Sequence, residues 1–230
     1  MLIPPMPAPL PEEVLIQRAT LPLKPASISL SGQYVHLAPL DLARDVDPLF
    51  ALSNGQPATL GERSIGAYDA EELIWRYMSE GPFATAAELK ACLQKQVNAP
   101  NGLCLCVRDQ ATGQPIGAAN YLSNSPENLK IELGWIWYSP LAQGTKANME
   151  ATYLMLQHAF ALGYQRLEWK CNALNERSRR AALRMGFTFE GTQQNHLIVK
   201  NRNRDTAWFR ILAAEWPTVQ PFLATSLYNK

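Results

Sequence analysis

The spacing of apolar residues changes period several times along the chain, and each change marks an element. Tyr34 to Ala38 is largely apolar and stops before Pro39, which predicts a first strand. Asp41 then stands as a cap ahead of Leu42, Val46, Leu49, Phe50 and Leu52, a helical stripe with Pro48 as a kink, and Asn54-Gly55-Gln56-Pro57 ends it. Asp69–Met78 and Ala86–Val97 predict two more helices on either side of Gly81-Pro82-Phe83. The period then falls to two. Leu103–Val107, Pro115–Tyr121 and Ile131–Tyr138 predict three strands, the first two joined through Asp109-Gln110-Ala111-Thr112-Gly113. Met149–Leu162 is the strongest helical pattern, with Met149, Tyr153, Leu156 and Phe160 on one stripe and Gly163 past its end. Arg166–Cys171 predicts a strand, and Asn175–Met185 a helix with Asn175 as N-cap and Gly186 beyond the last turn. Phe187–Phe189 and Thr206–Leu212 predict closing strands, with Asn201–Asp205 as a polar turn before the second. Pro217 opens a final helix through Val219, Phe222, Leu223 and Leu227.

This order predicts an α+β domain in which helices pack on a mixed, mostly antiparallel central sheet. No repeat or low-complexity linker follows residue 26, so the plan is a Pro-rich N-terminal arm (1–26), one domain (27–213) and a C-terminal helical extension (214–230). The arm holds Pro4, Pro5, Pro7, Pro9, Pro11, Pro22 and Pro25, a density that leaves room only for two helical turns over Glu12–Ala19. Such an arm lies along its own domain or on a neighbouring subunit, which keeps a homodimer open. It lacks the basic start and continuous apolar run of a signal peptide, so a cytoplasmic protein is expected.

Composition narrows the function classes. With 230 residues, 47% of them apolar, one domain has core enough without disulfides or metals. A net charge of +1 argues against a nucleic-acid partner, and no run of about 18 apolar residues is present to span a membrane. Cys104 and Cys106 share one face of a strand and lack the C-x-x-C spacing, so with Cys92 and Cys171 they read as small buried hydrophobes in a reducing compartment. With His36, His158 and His196 as the only histidines, no metal site is expected.

Two segments carry candidate chemistry. Ile131-Glu132-Leu133-Gly134-Trp135-Ile136-Trp137-Tyr138 runs through a tight turn, Gln143-Gly144-Thr145-Lys146-Ala147-Asn148, into the strongest helix. N–H groups at a helix start lack intrahelical partners and sit at the positive end of the dipole, so such a turn can hold a phosphate, although many turns of this kind bind nothing. The Asn175 helix carries Arg177, Arg179, Arg180 and Arg184, which either meet phosphates or form a solvated basic face.

Taken together, these segments resemble the shared core of the GNAT superfamily of acetyl-coenzyme A-dependent N-acetyltransferases, in particular its RimJ/RimL-type branch, over roughly residues 30–213. The resemblance implies a GNAT-like sheet, acetyl-CoA as co-substrate without a metal, and a primary amine as acceptor, either a protein N-terminus or a small molecule. Gln143 fits the first place of the family's pyrophosphate turn (Gln/Arg-x-x-Gly-x-Gly/Ala), whereas Lys146 and Asn148 stand where small residues are usual, and Lys146 can itself face a phosphate. By the same resemblance the cofactor runs along Ile136, Trp137 and Tyr138 at a strand bulge, over Gln143, Gly144, Thr145, Lys146, Ala147 and Asn148, and past Asn175 and Arg179. Glu132 matches a family base position, the alternative being an ordinary strand glutamate with a cross-strand partner. Ala182 replaces the tyrosine that serves as acid in many members, which leaves Ser178 to protonate the thiolate or merely to cap its helix. Trp75, Phe83, Trp135 and His196 are the acceptor-side candidates, with aromatic core and a structural histidine as the plainer readings. A catalytically silent acyl-CoA-binding sensor or scaffold is the alternative function, favoured by Lys146, Asn148 and Ala182.

Overall fold

In the computed structural model, which describes residues 6–229, the period-two segments do assemble into one large sheet. Along the chain, two single helical turns, α1 (Glu12–Leu15) and α2 (Gln17–Thr20), precede strands β1 (Leu30–Ser31) and β2 (Val35–Pro39) and helix α3 (Val46–Ala51). A small hairpin, β3 (Ala58–Leu60) and β4 (Arg63–Ile65), leads to a wide π-type turn over Glu71–Trp75 and to helix α4 (Ala86–Val97). Strands β5 (Leu103–Asp109), β6 (Pro115–Ser125) and β7 (Lys130–Tyr138) follow, then helix α5 (Ala147–Ala161), strand β8 (Arg166–Asn172) and helix α6 (Glu176–Arg184). The chain closes with β9 (Thr188–Val199), β10 (Arg202–Leu212) and helix α7 (Trp216–Tyr228).

The eight-stranded sheet runs β1-β2-β5-β6-β7-β8-β10-β9. Every neighbouring pair is antiparallel except β7 and β8, which run parallel because α5 carries the chain back between them. Alternation along β5 divides the core: Leu103, Leu105 and Val107 face α5 and α7, while Cys104 and Cys106 face α3, α4 and Trp75. Burial pushes the Cys104 thiol up to about 12 and the Cys106 thiol up as well, so both pack as small hydrophobes.

Several elements differ from the pattern-based expectation, each for a physical reason. Helix α3 begins at Val46 rather than just after Asp41. Pro48 lacks an N–H and is tolerated only in a first turn, so the helix cannot run past it upstream, and the Asp41 carboxylate instead accepts from Ala43 and Arg44. Of the predicted Asp69–Met78 helix only 70–75 is helical, wound wide over Glu71–Trp75 with Arg76 N–H bonded to the Glu71 carbonyl. The β3–β4 hairpin was not expected. The last two strands are far longer than predicted, and their turn is Lys200–Asn201, both at positive φ (49° and 60°), rather than Asn201–Asp205. Most of β9 is exposed, so no alternation marked it.

The arm packs on its own domain. Asn124 Nδ2 donates to the carbonyls of Pro22 and Leu23, both at 2.9 Å, and Lys24 Nζ donates to those of Val97 (2.8 Å) and Ala99 (3.1 Å). Pro4, Pro5 and Lys230 lie outside the described residues. No helix among the described residues is long and apolar enough to cross a membrane.

Candidate active site

The sheet opens at β7. Its parallel pairing with β8 ends at Glu132↔Glu168, so among the described residues the edge from Leu133 to Tyr138 has no strand partner on that side. On the other side, Ala118 pairs with Trp137 and Asn120 with Gly134, so Trp135 and Ile136 together face Ala119 alone. This is a bulge, with Trp135 at φ 47°. Gly117 permits it: a Cβ there would overlap the Trp137 carbonyl oxygen. The splay leaves a cleft of about 740 Å³ floored by Ile136, Trp137 and Tyr138.

One wall is the turn into α5. Gln143 Nε2 donates to the carbonyls of Tyr138 (3.0 Å) and Leu73 (2.9 Å), spanning the cleft's end. Gly144 takes φ 73° with open space beside it, as a turn closely approached by a ligand requires. Thr145 Oγ1 donates to the Ala142 carbonyl and accepts from Ala147 N–H. Lys146 lines the cleft but its ammonium is engaged elsewhere: it donates to the Leu227 carbonyl and to Tyr34 OH (3.3 Å) and lies 5.2 Å above the Tyr34 ring. It therefore fastens the end of α7 to the start of α5 rather than facing a phosphate. Asn148 Oδ1 and Tyr138 OH are buried in the cleft lining without partners among the described residues, so both sites keep hydrogen-bonding capacity for a ligand. Ala147 is buried beneath the turn.

Helix α6 forms the facing wall. Asn175 Oδ1 accepts the Ser178 N–H at 3.1 Å, so the asparagine caps the helix. The Ser178 hydroxyl has no capping role: its oxygen accepts from Trp169 Nε1 at 3.1 Å. Arg177, Arg180 and Arg184 line the cleft, an i, i+3, i+7 face, whereas Arg179 points away, donating to the Ala173 carbonyl and lying 5.5 Å from the Phe189 ring centroid. That spacing was available in the sequence and would have separated Arg179 from the other three. Arg177 also donates to the Glu72 carbonyl across the cleft. The π-type turn and its sequel, with Ile74, Tyr77 and Met78, complete the wall, a contribution that helical periodicity alone did not mark.

A second cavity of about 160 Å³ adjoins the cleft. Tyr77, Met78, Ile136, Trp169, Asn175 and Ser178 border both, so Ser178 stands at their junction. Glu132 lines the inner cavity, 2% exposed, with Lys170 Nζ at 2.8 Å and Ser123 Oγ at 3.2 Å. Burial pushes its carboxyl above the usual carboxylate range, against the pull of Lys170 and the Ser123 hydroxyl.

The acceptor-side candidates divide. Trp135 lines the inner cavity. Trp75 is wholly buried, its Nε1 donating to the Ser53 carbonyl and its ring against Phe83 and Trp137, both at 4.9 Å, so it supports the floor from behind. Phe83 belongs to that aromatic group and borders neither cavity. His196 is outside both, its Nδ1 bonded to Thr206 Oγ1 at 2.9 Å.

Comparison with known proteins agrees with this geometry. The model of the acetyltransferase (GNAT) domain family matches residues 36–188. A GCN5-related N-acetyltransferase from Brucella melitensis is 38% identical, with 89% of this chain and 87% of that chain covered and a TM-score of 0.80. A probable GNAT-family acetyltransferase from Chromobacterium violaceum is 32% identical over 84% of this chain and 90% of its own, with a TM-score of 0.74. An acetyl transferase from Salmonella typhimurium that modifies the N-terminal serine of ribosomal protein L7/L12 shares the fold at 15% identity (TM-score 0.64, covering 80% and 99%). No curated protein matches the chain. A family model that spans most of the domain, met by two relatives of the same kind over nearly the whole chain, places this protein in the GNAT acetyltransferase family, as an N-acetyltransferase.

Proposed function

We propose that the protein transfers an acetyl group from acetyl-CoA directly to a primary amine, of a small molecule or a peptide N-terminus, through the junction of the two cavities. The observation that carries this reading is the position of Ser178, bordering the long cleft on one side and the Glu132 cavity on the other. In this reading the coenzyme's pyrophosphate lies at the Gln143–Asn148 turn, within reach of Arg180 and Arg184. Its pantetheine arm follows the unpaired edge of β7, whose backbone N–H and C=O groups have no strand partner there. The thioester then sits at Ser178, and the amine enters from the inner cavity.

The chemistry balances with groups already present. The neutral amine nitrogen attacks the thioester carbon, forming the C–N bond and a tetrahedral oxyanion. Collapse breaks the C–S bond and releases coenzyme A thiolate. Glu132 takes the proton that the nitrogen loses, a role that its raised pKa suits. The Ser178 oxygen accepts from Trp169 and its hydroxyl lies against the Cys171 thiol, so in this reading its O–H turns from Cys171 to donate to the departing sulfur. Ser178→Ala should therefore lower kcat about tenfold while coenzyme A affinity holds, less than a full general-acid effect because a thiolate leaves readily. An unchanged kcat removes Ser178 from that role.

The test of the whole reading is calorimetric titration with coenzyme A, paired with thiol release from acetyl-CoA over a panel of amines and peptides. The Arg180→Ala/Arg184→Ala double variant should bind coenzyme A about tenfold more weakly, with a smaller salt dependence than the parent. Binding without turnover on any acceptor supports the silent acyl-CoA module, for which the buried Ala182 in the tyrosine position speaks. Absence of binding sinks both readings.

A further inference from the structure

The inner cavity carries more positive charge than its occupant base requires. Three charged side chains line it: Glu132, Lys170 and Arg204. Lys170 is paired with Glu132. Arg204 has no carboxylate within ion-pair distance among the described residues, and its Nε is buried without a hydrogen-bond partner. Neighbouring acids are committed elsewhere. The Asp205 carboxylate accepts from Asn195 N–H at 2.8 Å, and Glu168 is held by Lys130 and Arg166. A half-buried guanidinium without an ion pair of its own is costly, because water is lost and no anion at hydrogen-bond distance replaces it. Burial accordingly pushes the Arg204 guanidinium down from its ordinary pKa, with Glu132 and Cys171 offsetting only part of that.

A ligand anion is the missing partner. The guanidinium fork presents paired donors that match a carboxylate in two parallel hydrogen bonds. The cavity, about 160 Å³, also contains Glu132, so the amine to be deprotonated and the anion would belong to one residue-sized fragment. We propose that Arg204 is the specificity determinant of the acceptor site and that the acceptor is an amine bearing a carboxylate close to its nitrogen. That carboxylate comes either from a free amino acid or from an acidic first residue of a peptide. The inference rests on the transferase reading above and deepens it by naming the substrate class.

Acetyl transfer measured on matched acceptors tests it. L-alanine against L-alaninamide probes the α-carboxylate of a free amino acid. The peptide amide Asp-Ala-Ala against Asn-Ala-Ala probes an acidic first side chain. The acidic member of one pair should exceed its neutral partner at least tenfold in kcat/KM. Arg204→Met should erase that ratio and Arg204→Lys should keep part of it, with thermal midpoint and coenzyme A affinity as controls for folding. Equal rates within both pairs overturn the anion site and leave the transferase reading standing. If no acceptor turns over, the transferase reading fails by itself, and the anion site is then judged by calorimetry on coenzyme A-loaded protein. There the N-acetylated acid of either pair should bind at least tenfold tighter than its N-acetylated neutral partner; equal or absent binding in both pairs overturns it.

Discussion

Glu132→Gln is expected to lower turnover about a hundredfold or more while coenzyme A affinity stays at the parent value. Glutamine keeps the side chain's shape and can still accept from Ser123, but it cannot take a proton from the amine. The amide oxygen can also accept from the Lys170 ammonium, 2.8 Å from the carboxylate, and a neutral side chain suits this buried place better than an ionised one, so no large stability loss accompanies the substitution. An unchanged thermal midpoint then assigns the lost turnover to the lost base. An undiminished rate in a folded variant takes Glu132 out of the mechanism. The pH profile gives an independent sign. Burial raises this carboxyl above its ordinary value of 4.5, so the acid limb of kcat/KM should lie above that value: as pH falls through it, Glu132 gains a proton and activity is lost. Lys170 pulls the pKa down, so Lys170→Met should move the limb to higher pH; no movement, or movement the other way, contradicts the assignment. The same shift works against stability. A carboxyl raised in the folded state favours that state while protonated, below about 4.5, and that contribution disappears as pH rises through the folded-state value. In the proposed role the carboxyl is kept poised at a cost that a cross-strand glutamate exposed to water would not carry.

How far this site was legible in the sequence depends on how local each signal is. Helix α4 falls on the predicted residues, and the Asn175 cap with Gly186 at φ 83° came directly from capping chemistry, because both are decided within a few residues. The turn around Gly144 was equally local. The cavity's charges were not. Lys170 and Arg204 belong to two other strands, and they reach Glu132 only because β7 and β8 pair in parallel for three residues and then part, with β10 on the far side of β8. No spacing along the chain encodes that convergence. Lys146 illustrates the converse: it sits in the motif, yet the end of α7 takes its ammonium through the Leu227 carbonyl, 81 residues on. The β9–β10 hairpin escaped because its polar residues are exposed over most of β9, which removes the alternation that marks a half-buried strand.

The pair Gly32 and Glu150 should dominate stability as Glu132 is expected to dominate turnover. Glu150 lies in the first turn of α5, fully buried, and its carboxylate accepts three backbone N–H groups, from Gln33 (2.8 Å), Tyr34 (2.6 Å) and Val35 (2.8 Å). It is a charged plug that closes the turn between β1 and β2 onto the helix whose start forms the cleft wall. Glycine at 32 is required by this arrangement, since a Cβ there would overlap the Glu150 carboxyl carbon. Removing the carboxylate in Glu150→Ala leaves one buried donor, Val35 N–H, and two half-buried ones without an acceptor, a buried one being worth about 1–3 kcal/mol when unsatisfied. Entering water serves the half-buried pair in part, so a net loss of about 2–4 kcal/mol and a fall of about 5–10 °C in thermal midpoint are expected. Gly32→Ala alone should cost about 1–3 kcal/mol by overpacking. The two losses should not add. Once Glu150 is shortened, the space that the new methyl group needs is free, so the double variant should be about 1–2 kcal/mol more stable than the sum of the singles predicts. Strictly additive losses in denaturant unfolding would mean that Gly32 is set by the turn's backbone and not by the carboxylate behind it.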